Sequence, residues 1–492
     1  MIFRVFLMVL LLCSLAGCDS APTPEQQNQK QQNGIEQSGA EQAGPSEQQP
    51  ASAKETASSP QTEQSQPFVF LSETCEFHRF ESTPEALSVW KKYEHKQPAL
   101  LLLSSNPHLQ PTPPQLHAEI DQLIQQGKFD IIAEQALSQT ANPLLLSDMT
   151  VDTALRNNWF SGTYWALPLR DAAQNLDLDT FRQQLQDAGL ASESERDSLS
   201  LEQKVFTGTL RDQSFTAATL PNISLKQQPV IIHIDLSYFQ PFYKNEISTP
   251  LYSIIFETMT RLKSMQLETL AVTFSYNHSD NQIALDVRFL GEMLQWLIED
   301  PSRLEQKIPL KWQRQRDALY LANFFKKEEV RELYLAQEKD DPEAAWVKFN
   351  LYRSAVEHKE GNKALDYLSQ AVELDSAYAD EYFALSTLAY ERGRPDESLR
   401  MLKLASNVFP NDPFVTIQMA QIANELGDKE TALHLVKQLQ MLVWSEFYYS
   451  DMPQYLEGFL DVIESETTQE PADSNDAEGN TETARERTLH LN

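Results

Sequence analysis

The chain has 492 residues, with 71 Asp+Glu against 40 Lys+Arg and a formal net charge of −31, which is enough for two or three domains and at least one sizeable core. That charge repels phosphate backbones and no compact Lys/Arg run offsets it, so nucleic-acid binding is excluded; 14 glycines leave little material for phosphate-cradling loops. Three cysteines, Cys13, Cys18 and Cys75, two of them close to the N-terminus, provide no disulfide framework within one mature chain.

From the N-terminus, Arg4, the apolar run Val5 to Leu12 and small residues ending at Gly17 make the three-part pattern of a secretory signal over 1–17. The run is shorter than the ~20 apolar residues that a membrane-spanning helix needs. Leu15-Ala16-Gly17-Cys18 resembles the lipobox of bacterial lipoproteins. The resemblance implies cleavage before Cys18, acyl chains of the palmitate type on that cysteine, and a lipid-anchored envelope protein facing the periplasm. Asp19 resembles a retention signal that favours the inner over the outer membrane. Two or more acyl chains give stable attachment. Residues 18–66 are Gln, Glu, Ser, Ala and Pro with Ile35 as the single large aliphatic; such a segment cannot offset its ordering entropy and reads as a disordered tether spanning ~35–40 Å.

Between 67 and 309 short apolar runs (68–71, 99–103, 164–167, 230–236, 270–274) alternate with helical patterns (84–93, 116–126, 178–188, 249–265, 288–299). Runs apolar at successive positions suit strands covered on both faces, so this stretch reads as an α/β domain with a mostly parallel sheet, whose site would lie beyond the carboxyl ends of the strands. Three strand ends carry polar residues: Ser104, Asn106 and His108; His233, Asp235 and Ser237, on one face by period-two alternation; and Asn277-His278-Ser279-Asp280. Imidazoles and a carboxylate converging there suit a divalent transition metal, Zn, Mn or Fe, and metal-assisted hydrolysis. The runs 230–239, Thr249-Pro250-Leu251, 272–275 and 286–290 resemble the arginase/deacetylase-like fold. That family has Asp-x-Asp at the late strand and Asp-x-His-x-Asp at the early one; here only Asp235 of the late pair remains, and Ser104, Asn106 and His108 stand at the early positions. Two-metal hydrolysis needs several carboxylates, so the resemblance implies a degenerate, non-catalytic domain, a pseudoenzyme with no cofactor. The alternative is a single-metal hydrolase of C–N bonds with His108, His233 and Asp235 as ligands and His278 as acid or base. Cys75 near His78 makes a weak nucleophile pair, Trp159-Phe160 and Tyr164-Trp165 read as core or pocket wall, and no nucleophile-elbow, zincin, Walker or dinucleotide spacing occurs.

The helix-like spacing over 310–342 predicts connecting or capping helices. From 343 a period of 34 appears: Ala364, Ser398 and Ala432 are small positions 34 apart, Leu368, Leu402 and Val436 follow four later, and Ala371, Ala405 and Leu439 seven later. Turn glycines Gly361, Gly393 and Gly427 precede them, the first spacing being two residues short, and Trp346 and Pro410 occupy pattern positions. This resembles a tetratricopeptide-repeat array, an all-α solenoid running with its cap to 463. An acidic tail over 464–492 reads as disorder. The resemblance implies a concave groove for a protein or peptide of the envelope, with Asn350, Arg353, Tyr382, Ser386, Tyr390, Gln418 and Gln421 as candidate lining residues. The sequence therefore predicts a multidomain lipoprotein scaffold, with the metal hydrolase as the alternative.

Overall fold

The structure is a computed structural model that describes residues 68–468 except 73–76, 137–138, 170–175, 226–227, 244–249 and 278–283. The signal, Cys18, Asp19, the tether, Cys75, His278 and the tail beyond 468 lie outside the described residues.

Among the described residues nine strands form one sheet: β1 (Phe68–Val69), β2 (Phe77–Phe80), β3 (Ala99–Leu103), β4 (Gly162–Leu167), β5 (Ser200–Glu202), β6 (Val205–Leu210), β7 (Gln213–Thr219), β8 (Val230–Asp235) and β9 (Glu268–Ser275). Their order is β1-β9-β8-β3-β4-β7-β6-β5, with β2 also on β9. The stretch β2, β9, β8, β3, β4, β7 is parallel throughout. Its chain order steps outward from β3 to β4 and β7, then returns to β8 on the other side of β3, so the strand order reverses between β3 and β8. All five apolar runs of the sequence are strands. β2, β5, β6 and β7 are additions; β6 pairs antiparallel with both β5 and β7. Their turns, Gln203-Lys204 and Arg211-Asp212, carry positive φ at both central residues without glycine, the tight geometry that matches strand twist. Arg211 is held there by Asp152 at 2.6 Å and Glu195 at 2.9 Å, contacts that the local sequence does not announce.

Alternation along the strands separates two cores. Ala99, Leu101, Leu103, Ile232, Ile234, Val272 and Phe274 face helices α4 (Leu251–Ser264) and α5 (Phe289–Glu299). Leu100, Leu102 and Ile231 face α1 (Pro114–Gln125), α2 (Thr150–Arg156) and α3 (Leu178–Asp187).

The C-terminal half is four helical hairpins: α6 (Leu310–Ala322) with α7 (Lys327–Asp340), α8 (Ala345–Glu357) with α9 (Gly361–Leu374), α10 (Asp380–Glu391) with α11 (Pro395–Val408), and α12 (Pro413–Glu425) with α13 (Lys429–Gln440), followed by α14 (Met452–Thr468). The second helices begin at 327, 361, 395 and 429, every 34 residues. The stretch 310–342, expected as connection or cap, is therefore a hairpin in phase with the others. Its packing positions Val330, Tyr334 and Gln337 are larger or more polar than Ala364, Leu368 and Ala371, although equally buried, and that hid the period. The two-residue irregularity also disappears: the residue with positive φ in the second turn is Lys359, in phase with Phe325, Gly393 and Gly427.

One core runs unbroken from the sheet into the repeats. Phe289 lies 6.3 Å from Trp312 and 5.8 Å from Trp346, whose rings stack at 5.6 Å. At the far end the chain returns to the α/β unit: Ser445 N–H donates to the Ala141 carbonyl at 3.0 Å and Tyr448 Oη approaches Met149 Sδ at 3.4 Å. Among the described residues no helix is long and apolar enough to cross a membrane.

Candidate functional site

Period-two geometry puts His233 and Asp235 of β8 on the same sheet face as Thr273 and Ser275 of β9, and the turn after β3 brings Ser104 and His108 alongside. The cluster thus sits at the carboxyl end of the sheet, where the strand order reverses. His108, His233, Asp235, Ser104, Ser237, Thr273 and Ser275 are all fully buried. His108 and Asn277 hold positive φ of 52° and 47°, conformations that side chains adopt when surrounding contacts dictate them.

Hydrogen bonds account for nearly every polar atom here. Asp235 Oδ1 accepts from the Ser237 amide at 2.8 Å; Oδ2 accepts from Ser275 Oγ at 3.0 Å and from Asn277 Nδ2. His108 Nδ1 donates to the Ser147 carbonyl at 2.8 Å, which leaves Nε2 as acceptor for Ser104 Oγ at 3.1 Å in the tautomer this network assigns. The same Nε2 lies 3.6 Å from Asp235 Oδ2. His233 meets Thr273 Oγ1 at 2.9 Å through Nδ1 and Ser275 Oγ at 3.1 Å through Nε2. Trp90 donates to Thr273 at 3.2 Å and Trp165 to the Ser104 carbonyl at 2.8 Å, so Trp165 is a core wall, as the sequence predicts, and Trp90, which the sequence does not single out, is another.

Burial pushes the His108 imidazole below its ordinary value, opposed in part by Asp235 and the Ser147 carbonyl; burial and the neighbouring His108 push His233 well below. Both rings are therefore neutral in the folded chain. An unfolded chain takes up protons on both near pH 6.5, and the native fold refuses them. Stability contributed by this site is then complete above that pH and falls as pH drops below it. Urea midpoints measured from pH 8 to 5 should fall on the acid side, with a shallower fall in His233→Gln.

The structure brings His108, His233, Asp235 and Asn277 of the three polar strand ends together, and adds Thr83, Ser147, Thr273 and Ser275. Thr273 and Ser275 could have been found from β9, because they repeat the alternation of His233 and Asp235. Thr83 and Ser147 open distant single-turn 3-10 helices, Thr83–Ala86 and Ser147–Met149, and carry no sequence signal. As a cation centre the donor set is poor: one carboxylate, two imidazoles and hydroxyls already bonded to one another. Ser237 Oγ accepts from the Ser105 amide at 3.1 Å, and the Asn106 carboxamide accepts from the His108 amide at 2.8 Å, so neither faces outward as a ligand. Among the described residues no group of three or more His, Cys, Asp or Glu is placed to hold a metal.

The candidate groove residues need correcting. Asn350 donates to Gln315 at 3.2 Å, Ser386 Oγ meets Ser398 Oγ at 2.7 Å across its own hairpin, and Tyr382 is buried. Gln421 donates to Tyr455 at 2.8 Å, and Arg353 pairs with Asp286 of the α/β unit. Asn350, Tyr382 and Ser386 are packing positions and Gln421 is half-buried, whereas Arg353 stays half exposed: residues four apart on a first helix also form the stripe that faces the neighbouring helices. Gln418 remains exposed, and Tyr390, also exposed, donates to Glu425 at 2.6 Å.

A second feature lies where the two units meet, a cleft of ≈ 390 Å³ lined by Glu81, Tyr276, Arg288, Trp346, Asp375 and Tyr378 among others. Arg288 is only 3% exposed. It binds Glu81 at 2.8 Å and Asp375 at 2.9 Å and lies 3.9 Å over the Tyr276 ring. The two carboxylates hold its guanidinium charged against the opposing effect of burial.

No protein-family model and no curated protein matches the chain. Solved structures that align with it include MamA of AMB-1, at 22% identity over 26% of this chain and 76% of that one, with a TM-score of 0.20. Cut9-Hcn1 of the APC/C aligns at 13% identity over 47% and 46%, with a TM-score of 0.21. PilF of Pseudomonas aeruginosa aligns at 17% identity over 44% and 97%, with a TM-score of 0.22. At such scores the assignment rests on the hairpins themselves: residues 310–440 form a tetratricopeptide-type array, joined to an α/β unit.

Proposed function

We propose that the chain is a lipid-anchored envelope protein, attached through Cys18 at the periplasmic face of the inner membrane, whose repeats bind another protein. In this reading the α/β unit is a non-catalytic relative of the arginase/deacetylase-like fold, kept for structure. The observation that carries the proposal is the closed hydrogen-bond network at the strand ends: Asp235 and both imidazoles are fully buried, and their hydrogen bonds go to Ser, Thr, Asn and backbone groups. Polar groups arranged this way rigidify a core and leave no open coordination position. The four-hairpin array supports the binding role, since stacked repeats present extended surfaces.

The single-metal hydrolase keeps one observation in its favour, the 3.6 Å approach of His108 to Asp235. Metal analysis of the purified chain separates the readings. A scaffold carries Zn, Mn and Fe far below one per chain; stoichiometric metal lost in Asp235→Ala would establish the hydrolase. Photocrosslinking in intact cells from Gln418 and Tyr390 should capture a discrete envelope protein, and capture that persists unchanged from a buried position such as Ser386 would remove the groove assignment. Labelling with palmitate, abolished in Cys18→Ser, tests the anchor.

A further inference from the structure

The four hairpin turns place one residue each in the left-handed region: Phe325 (φ 58°), Lys359 (60°), Gly393 (68°) and Gly427 (80°). Glycine takes that conformation freely, whereas a bulky side chain pays about 1 kcal/mol or more. Phe325 nevertheless stands there and is 84% exposed, so no burial within the fold offsets the strain. Two more aromatics share its tip: Tyr320 is 48% and Phe324 47% exposed, with rings 5.0 Å apart. Lys326 and Lys327 follow directly.

We propose that the first hairpin turn, Tyr320, Phe324 and Phe325 with Lys327 behind them, is a finger that inserts into the interfacial zone of a lipid bilayer. This deepens the proposed function and rests on its membrane attachment. Aromatic rings prefer the headgroup level, where a neighbouring lysine reaches phosphate. The fold places the finger suitably. The N-terminal segment leaves at β1, where Phe68 pairs with Thr269 at the start of β9. Close by, Lys263 bridges Glu305 at 3.0 Å, just before α6 begins. The tip lies one 13-residue helix, about 20 Å, further on. The 49 residues from 18 to 66 are ample to let a chain fixed at Cys18 lay this tip on the same membrane. Lys326 is paired with Glu329 at 3.4 Å, and the net charge of −31 repels anionic lipid. Insertion is therefore driven by the rings and favours zwitterionic surfaces.

The test uses the full chain bearing Cys18→Ser, so that no acyl chain contributes, floated with vesicles of phosphatidylcholine and phosphatidylethanolamine. The expected result is measurable co-flotation that persists at 0.5 M salt, about tenfold weaker in Phe325→Gly and weaker again with Phe324→Ser added. Phe325→Gly should at the same time raise the thermal midpoint, because it relieves the strained turn. No co-flotation of the parent chain, or undiminished co-flotation of the double variant, overturns the proposal. A drop in midpoint for Phe325→Gly would mean that the ring serves the fold, and overturns it too. Failure here leaves palmitate labelling of Cys18 unaffected, so the two proposals fail separately.

Discussion

Asp235→Ala should lower the stability of the α/β unit by about 3 kcal/mol while leaving its metal content unchanged. The carboxylate accepts from the Ser237 amide, Ser275 Oγ and Asn277 Nδ2, and all of these groups are buried. Orphaning a buried donor costs about 1–3 kcal/mol, part of which local rearrangement recovers. Because both units melt in one transition of about 400 residues, the midpoint should fall by roughly 3–6 °C. Asp235→Asn keeps the acceptor for Ser237 but turns its amide donors toward Asn277, so it should fall between alanine and the parent. Thermal melts with parallel metal analysis check both points. A fully stable alanine variant would show that the network is incidental to the fold.

Arg288→Met should uncouple the two units. The guanidinium touches the sheet side through Glu81 and Tyr276 and the repeat side through Asp375. Removing one partner from a buried pair costs about 3–5 kcal/mol, at the lower end here because Glu81, 54% exposed, can be rehydrated. Calorimetry should then resolve two transitions where the parent shows one, with faster proteolysis between 300 and 310. Arg288→Lys should not restore coupling, since an ammonium cannot present the planar fork that meets two carboxylates at once. Arg353→Ala removes another charged contact between the units, but its side chain is half exposed and the effect should stay below about 1 kcal/mol. One unchanged cooperative transition in Arg288→Met would place the coupling in the Phe289, Trp312 and Trp346 stack instead.

These two residues differ in how visible they were beforehand. Asp235 stands out as a charge at the end of an otherwise apolar run, and a lone carboxylate in a buried strand demands partners. Arg288 looks like an ordinary helix-start cation, because its partners lie 207 and 87 residues away and no local pattern joins them.

The same division runs through the fold. Val230 to Asp235 and Ala99 to Leu103 read as buried strands, and the small residues at 364, 398 and 432 read as repeats, because hydrophobic period and residue volume act locally. The sequence by itself determined the acidic surface, the parallel strands, the 34-residue period and the scarcity of carboxylates at the strand ends. Only the tertiary structure decided that 310–340 is a repeat, that Asn350, Ser386 and Gln421 pack instead of lining a groove, and that Thr83 and Ser147 complete the polar network. Those outcomes depend on which faces meet across long chain separations, and the free energy of such contacts belongs to pairs of segments and is not written in either one alone.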